Sequence, residues 1–184
     1  MILPKKELIF WCTGMSGSGK SKLASHAKIE LEKKNLKVLI LDGDVIREQY
    51  PIHIGFSRED IEKNNLNIAE ICTNERAKYN CIIVPIISPI ELVRRKIKIL
   101  LSPKFYLVYL HADLKSLKKR DPKGLYKKAE KGIIDNLIGY SDNNPYDVPK
   151  KFDIKIDTST KFSLAKSRSI FTDFLINKIF THSP

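Results

Sequence analysis

The sequence predicts an α/β fold in which a parallel sheet is covered by helices on both faces. Short apolar runs alternate along the chain with longer amphipathic segments, which is the pattern of strands and helices in such a fold. The first apolar run, residues 8–12, also leads directly into a glycine-rich turn at residues 14–21, Gly-Met-Ser-Gly-Ser-Gly-Lys-Ser. A chain of 184 residues with 42% hydrophobic residues suits a single domain, spanning residues 1–184.

The turn at residues 14–21 matches the pattern G-x-x-x-x-G-K-S/T, which binds phosphate groups where it joins a strand to a helix. Its glycines let backbone N–H groups face one concavity, and the following helix adds the positive end of its dipole. Lys20 is expected to reach the β- and γ-phosphates and Ser21 to hold Mg²⁺. A flexible Gly/Ser loop is the alternative. The predicted cofactors are ATP and Mg²⁺, and the predicted cofactor-binding residues of this loop are Gly14, Ser16, Gly17, Ser18, Gly19, Lys20 and Ser21.

The remaining elements follow from hydrophobic periodicity. The apolar runs predict five strands, at residues 7–13, 37–42, 81–87, 105–111 and 153–157. The amphipathic segments predict five helices, at residues 19–34, 58–79, 90–101, 113–119 and 163–180. Ser57 and Asp113 are expected to begin two of these helices, because a short polar side chain can accept a hydrogen bond from the first helical turn.

A second polar cluster, Asp42, Asp44 and Arg47, follows the second predicted strand. Ligands of α/β proteins bind at the carboxyl ends of the strands. We expect Asp42, provisionally, to act through the Mg²⁺ hydration shell and Asp44 to orient or deprotonate an attacking hydroxyl, although the opposite assignment stays open. Arg47 is expected to bind a phosphate of the acceptor. A simple turn is the alternative for Asp-Gly-Asp. The predicted catalytic residues are Lys20, Asp42 and Asp44, and the predicted metal ligands are Ser21 and Asp42.

Residues 120–150 interrupt the alternation of strands and helices. They contain three prolines and three glycines among many charged residues, a composition that leaves little core of its own. We expect a mobile lid, because phosphoryl transfer requires water to be excluded while the reacting oxygens align. An ordinary long loop is the alternative.

The balance of 33 Lys and Arg against 21 Asp and Glu gives a formal net charge of +12. Such a charge attracts nucleic acids and small phosphorylated substrates alike. The lysines are spread over every predicted helix, and no platform of aromatic and basic residues is visible, so that a solvated surface is expected. A polynucleotide kinase or another nucleic-acid-binding NTPase is the alternative function.

The sequence also indicates where the protein acts. No stretch approaches the roughly 20 apolar residues of a membrane span, and residues 1–7 lack the pattern of a signal peptide. The three cysteines are widely spaced and match no metal motif. We expect a cytoplasmic enzyme without membrane contact.

The apolar run 162–180 covers either the chain's own sheet or a partner, so that a homodimer is one alternative.

Five motifs, taken in order and spacing over about residues 8–158, resemble the adenylylsulfate kinase family. They are Thr13 to Ser21, Leu41 to Asp44 with Arg47, Gly55 to Ser57 with Asp60 and Asn64, Ile87 to Pro89, and Arg-Asp-Pro-Lys-Gly-Leu-Tyr-Lys-Lys-Ala at residues 120–129. The resemblance implies a P-loop kinase fold with strand order 2-3-1-4-5. It also implies transfer of the γ-phosphoryl group of ATP to the ribose 3'-hydroxyl of adenylyl sulfate.

The resemblance implies roles for further residues. Arg120 would contact the ATP side of the site, Lys123 would approach the anionic groups of the acceptor, and Phe56 would stack on its base. Ser88 and Pro89 would form a wall of the acceptor pocket. The implied acceptor-binding residues are Asp44, Arg47, Phe56, Asn64, Ile87, Ser88, Pro89, Lys123, Gly124, Leu125 and Leu137.

Departures from the family's pattern concentrate in the acceptor pocket. Ile61 stands where the family has Arg, Leu137 where it has Phe, and two extra residues precede Pro145. Asn-Leu-Asn at residues 65–67 replaces Ile-Arg-Arg. Loss of an Arg from a charge-paired site costs about 2 to 5 kcal/mol when its partner anion stays buried. The expected acceptor is therefore either adenylyl sulfate or a different nucleotide, such as the cytidine diphosphoramidate phosphorylated by a sibling kinase in capsular polysaccharide assembly.

Overall fold

The computed structural model describes residue 4, residues 6–51 and residues 55–180. Five strands form one sheet: β1 (Leu8–Thr13), β2 (Val38–Ile40), β3 (Cys81–Pro85), β4 (Phe105–His111) and β5 (Ile154–Asp157). Their order is β2-β3-β1-β4-β5, as predicted, and every neighbouring pair is parallel. All six residues of the central strand β1 are buried, as expected for a parallel strand covered on both faces.

The described residues contain seven α-helices: α1 (Lys20–Glu32), α2 (Gly43–Glu48), α3 (Arg58–Glu75), α4 (Glu91–Leu101), α5 (Leu114–Arg120), α6 (Leu125–Glu130) and α7 (Leu164–Phe180). The five predicted helices correspond to α1, α3, α4, α5 and α7, and a 3-10 turn at Arg76–Lys78 completes α3. The two helices of six residues, α2 and α6, were not predicted. Across the described ranges, none of these helices has both the length and the apolar composition that a membrane span needs.

The core has one layer on each face of the sheet. Along β1, Trp11 packs in the layer that contains residues of α3 and α4, and Phe10 packs in the layer that contains residues of α1 and α7. This alternation follows from the two-residue period of a strand. Phe171 of α7 is 1% exposed within the second layer. The apolar run near the C-terminus therefore covers the chain's own sheet.

The two predicted helix starts are confirmed. The Ser57 hydroxyl accepts a hydrogen bond from the backbone N–H of Asp60 at 3.1 Å, and the Asp60 carboxylate accepts one from the backbone N–H of Ser57 at 3.4 Å. Asp113 accepts a hydrogen bond from the backbone N–H of Ser116 at 2.8 Å. Hydrogen bonds from the backbone and side chain of Ser116 lower the pKa of Asp113 to about 2.

Residues 120–150 contain more structure than the sequence predicted. Tyr126 of α6 is 1% exposed and Leu137 is 6% exposed, and both pack on Leu117 of α5. The expectation that this segment has little core of its own is therefore wrong. Its buried residues are separated by proline and glycine turns and follow neither a helical nor a strand period, so that periodicity could not reveal them. We call residues 120–150 the lid segment below.

Candidate active site

The phosphate-binding turn predicted from the sequence joins the end of β1 to the start of α1. Gly14 has a φ of +156°, and a Cβ atom there would overlap the carbonyl oxygen of Leu110. Gly19 has a φ of +90°, a left-handed conformation directly before α1. Both positions therefore require glycine. The turn places the N-terminus of α1 at the carboxyl edge of the sheet, where a helix binds phosphate groups well.

Lys20, the first residue of α1, bends back over this turn. Its Nζ donates hydrogen bonds to the carbonyl oxygens of Gly14 and Met15, at 2.7 and 2.9 Å. Burial lowers the pKa of Lys20 to about 8, although the carboxylates of Asp44 and Asp42 oppose this shift. A bound phosphate would add negative charge and favour the charged lysine.

Ser21 and Asp42 meet beside the turn, as expected for a metal site. The Ser21 hydroxyl donates a hydrogen bond to Asp42 Oδ2 at 2.6 Å, while Asp42 Oδ1 accepts one from the backbone N–H of Asp44 at 3.0 Å and caps α2. One hydroxyl and one carboxylate suit Mg²⁺, which binds few protein oxygens and completes its shell with water and phosphates. Within the described ranges, no group of three or more His, Cys, Asp or Glu side chains offers a larger metal site.

Asp44 contacts the opposite side of the site. Its carboxylate forms an ion pair with Lys123, which belongs to the lid segment. Both side chains are more than half exposed. The two neighbouring carboxylates thus have different partners, Asp42 beside the phosphate turn and Asp44 beside the lid segment. This difference supports the predicted division between a metal ligand and a group that handles the acceptor.

Arg47 and Phe56 form the next part of the predicted acceptor region. The Arg47 guanidinium lies 4.6 Å from the centre of the Phe56 ring, and it donates a hydrogen bond to the carbonyl oxygen of Gly55. Phe56 is 41% exposed, so that part of its ring is open to a ligand. Asn64 of α3 is buried, and its Oδ1 has no hydrogen-bond partner among the described residues.

The segment after β3, Ile87 to Pro89, is held between β1 and α4. The Thr13 hydroxyl contacts the carbonyl oxygens of Ile87 and Ser88, at 2.5 and 3.3 Å. Arg94 of α4 donates a hydrogen bond to the carbonyl oxygen of Ser88 at 2.6 Å. Ser88 is 1% exposed and has a φ of +45°. Its hydroxyl is therefore enclosed, and the segment offers a rigid wall.

Arg120, at the end of α5, connects the turn to β5. It donates hydrogen bonds to the carbonyl oxygens of Gly17, at 3.1 Å, and Thr158. The Thr158 hydroxyl in turn donates to the carbonyl oxygen of Ser18 at 2.9 Å. Thr158, which directly follows β5, is not among the site residues predicted from the sequence. Its position at the carboxyl end of a strand was the signal that could have revealed it.

Three residues of the lid segment that were predicted to bind the acceptor, Gly124, Leu125 and Leu137, are part of the segment's own structure. Gly124 has a φ of +65° and precedes α6. Leu125 and Leu137 both belong to the cluster around Tyr126. Tyr126 also donates a hydrogen bond to the carbonyl oxygen of Ser16 at 2.9 Å. The lid segment is thereby attached to the phosphate-binding turn.

A cavity of about 340 Å³ lies beside Phe56. We call it the Phe56 cavity. Its described lining residues are Phe56, Ser57, Arg58, Ile61, Ile90, Asn136, Asn143, Asn144 and Pro145. Of the eleven predicted acceptor-binding residues, Phe56 alone is among these lining residues. The three asparagines were not predicted as site residues, because their proximity to Phe56 depends on the path of the lid segment.

A larger depression of about 570 Å³ lies on α3, away from the phosphate-binding turn. Its lining includes the carboxylates of Glu59, Glu62 and Glu70 and the single ammonium group of Lys63. Three carboxylates against one ammonium group disfavour an anionic nucleotide. The Phe56 cavity is therefore the better candidate for the acceptor.

Comparisons with known proteins give a consistent result. The family model of adenylylsulphate kinase matches residues 6–157. A probable adenylyl-sulfate kinase of Halalkalibacterium halodurans is 37% identical over 175 residues, covering 95% of this chain and 83% of that protein. The adenylyl-sulfate kinase of Prochlorococcus marinus is 39% identical over 157 residues, covering 85% of this chain and 77% of that protein.

The fold is similar to that of a solved structure, the Mycobacterium tuberculosis APS kinase CysC in complex with AMPPNP and APS. The TM-score is 0.80 at 30% sequence identity, over 94% of this chain and 99% of that one. The similarity therefore extends over nearly the whole of this chain.

Proposed function

The chain belongs to the adenylylsulphate kinase family, and we propose that it transfers the γ-phosphoryl group of ATP to the ribose 3'-hydroxyl of a nucleotide acceptor. Its enzyme class is a phosphotransferase with an alcohol group as acceptor, and it uses ATP and Mg²⁺. The observation that carries the proposal is the separation of two carboxylates. Asp42 pairs with Ser21 beside the phosphate-binding turn, while Asp44 pairs with Lys123 on the lid segment.

The proposed reaction assigns each residue one task. Lys20 and the backbone of the turn hold the β- and γ-phosphates, and Arg120 contacts the nucleotide from the lid side. Ser21 and Asp42 would hold Mg²⁺, which would neutralise charge on the phosphates when bound. Asp44 accepts the proton of the acceptor hydroxyl while the oxygen of that hydroxyl bonds to the γ-phosphorus. The bond between that phosphorus and the bridging oxygen breaks, and ADP leaves with the electron pair.

Adenylyl sulfate is the first candidate acceptor. The relatives above are named adenylyl-sulfate kinases, and the similar solved structure contains APS. The Phe56 cavity supports a nucleotide acceptor in general, because a half-exposed aromatic ring offers a stacking face for a base.

A different nucleotide, such as cytidine diphosphoramidate, is the second candidate, and the lining of the Phe56 cavity favours it. Ile61, where the resemblance leads us to expect an Arg, is 2% exposed and lines the cavity. Leu137, where a Phe is expected, packs inside the lid segment instead. Among the described lining residues, Phe56 is the only aromatic ring and Arg58 the only cation. A single aromatic face among the described lining residues suits the smaller ring of cytosine better than adenine.

A coupled assay of ADP release tests this proposal. It would compare adenylyl sulfate, cytidine diphosphoramidate and 5'-hydroxyl oligonucleotides, with the Lys20→Ala variant as the background control. We expect one of the two small nucleotides to be phosphorylated and the oligonucleotides to be inactive. Product analysis should place the new phosphate on the ribose 3'-oxygen. Turnover of oligonucleotides alone would contradict the proposal.

We keep the homodimer as a separate proposal. Leu92, Ile99 and Leu100 of α4 are 61%, 78% and 60% exposed, and exposed apolar side chains on one helix are typical of contact surfaces. Light scattering across a range of protein concentrations would test it. A monomer at every concentration would contradict it.

A further inference from the structure

Part of the lid segment forms an amide-rich wall of the Phe56 cavity. Residues 136–145, which we call the asparagine loop, contribute Asn136, Asn143 and Asn144 to the lining. The loop is closed by its own hydrogen bonds: the backbone N–H of Gly139 donates to the carbonyl oxygen of Asn144 at 2.8 Å, and the backbone N–H of Asn144 donates to that of Ser141 at 3.1 Å. The position of Asn144 is therefore fixed before any ligand arrives.

The orientation of the Asn144 side chain follows from its partners. Its Nδ2 donates hydrogen bonds to the carbonyl oxygens of Asn136, at 3.0 Å, and Phe56, at 3.3 Å. Carbonyl oxygens only accept hydrogen bonds, so that the nitrogen must face them and Oδ1 must point elsewhere. Both hydrogens of the amide nitrogen are thereby used. No described residue donates a hydrogen bond to Oδ1, and the side chain is partly exposed at the cavity.

The cavity thus combines an aromatic ring with a fixed hydrogen-bond acceptor. Asn144 is tied directly to the backbone of Phe56, although 88 residues separate them. A base that stacks on Phe56 would have its edge near the asparagine loop. An exocyclic amino group on that edge would donate a hydrogen bond to Asn144 Oδ1. A carbonyl oxygen at the same position could not, because both oxygens are acceptors and neither carries a proton.

We propose that Asn144 selects an acceptor whose base carries an exocyclic amino group, through a hydrogen bond from that group to Asn144 Oδ1. The inference rests on the proposed function, because it requires a nucleotide acceptor in the Phe56 cavity. Cytosine and adenine both carry such a group, and their oxo counterparts are uracil and hypoxanthine. Asn144 is thus a specificity-determining residue, which acts on substrate choice and not on the transferred phosphoryl group.

Two pairs of acceptors, each differing in one group, test the proposal. One pair is cytidine and uridine diphosphoramidate, and the other is adenylyl sulfate and its inosine counterpart. The two compounds of a pair differ by one hydrogen bond to Asn144. In the pair that is phosphorylated, kcat/KM should therefore be about tenfold higher for the compound with the exocyclic amino group. The pair that turns over also shows whether the base is cytosine or adenine.

Two variants of Asn144 separate selection from loop structure. Asn144→Leu removes both the acceptor oxygen and the two hydrogen bonds to the backbone, whereas Asn144→Asp removes those hydrogen bonds but keeps an acceptor oxygen. We expect Asn144→Leu to reduce the amino preference to about twofold or less and Asn144→Asp to retain it, even if both variants are slower. Asn74→Leu, at an exposed position of α3, serves as the matched control and should keep the preference. The KM for ATP should change in none of them.

The outcomes distinguish this inference from the proposed function. Equal kcat/KM for both members of a pair, or an unchanged preference in Asn144→Leu, would overturn the inference and leave the nucleotide kinase intact. Equal loss of preference in Asn144→Leu and Asn144→Asp would show that only the loop structure matters, which also overturns it. If no acceptor turns over, the proposed function fails. Calorimetric titration of the same four compounds into AMPPNP-saturated protein then decides the inference. The amino compound of a pair should bind about tenfold more tightly than its oxo counterpart, and equal affinities would overturn the inference.

Discussion

Replacing Asp44 by Asn should strongly slow phosphoryl transfer while leaving the fold and ATP binding intact. The ion pair of Asp44 with Lys123 joins two side chains that are more than half exposed. Such a pair contributes about 0 to 1 kcal/mol, so that Tm should fall by no more than about 4 °C. Removal of a general base, by contrast, lowers turnover about 100- to 10,000-fold. A large loss of kcat with a small loss of stability is therefore expected.

Asp42→Asn is the matched variant, since it changes the carboxylate that contacts Ser21. Asparagine caps a helix as well as aspartate does, so that α2 should keep its N-terminal hydrogen bond. The loss of one carboxylate oxygen should instead raise the Mg²⁺ concentration needed for half-maximal activity. Rates of ADP release across a Mg²⁺ titration, together with calorimetric ATP affinities, measure both effects. Identical titrations and identical rates for the two variants would refute the assignment of separate roles.

Three further predictions concern the turn, the cavity and the lid segment. Lys20→Ala should abolish transfer in a folded protein. In the unaltered chain, kcat/KM for ATP should fall as the pH rises above about 8, because Lys20 then loses its proton. A pH profile of kcat/KM that stays flat through this range would contradict this. Ile61→Arg, at a position that lines the Phe56 cavity, should raise kcat/KM for adenylyl sulfate but lower Tm by about 5 °C, since Ile61 is buried. An unchanged kcat/KM would sink the explanation. Hydrogen exchange in residues 120–150 should slow only when an ATP analogue and acceptor are both bound, and equal exchange with and without them would refute gating.

The sheet and the phosphate-binding turn could be predicted because their signals are local. Each strand is a continuous apolar run, and the turn is defined by glycines at fixed spacing. The backbone conformations at positions 14 and 19 are ones that only glycine adopts readily. The helix starts at Ser57 and Asp113 were also local, since a capping side chain bonds to the turn that follows it. The strand order, however, came from the family resemblance and not from these patterns.

The short helices and the lid core escaped prediction for physical reasons. A helix of six residues shows less than two turns of periodicity, and α2 begins at a glycine. The burial of Leu137 depends on Leu117, twenty positions earlier along the chain, and on the turns between them. The sequence pattern therefore placed Leu137 correctly in the lid segment but could not show which way it faces.

The separation of Asp42 and Asp44 illustrates how a local backbone feature assigns chemistry. The two residues flank one glycine, and their charges and lengths are the same. Asp42 is the N-cap of α2, so that Oδ1 must turn back to the N–H of Asp44 and Oδ2 is left facing Ser21. Asp44 lies in the first helical turn, where its own side chain is released from capping and extends to Lys123. Gly43 fits between them because a Cβ atom there would come within 2.7 Å of the Ile86 side chain. The same Asp-Gly-Asp sequence in an open turn would leave both carboxylates equivalent, and it is the start of α2 that directs Asp42 to Ser21 and Asp44 to Lys123.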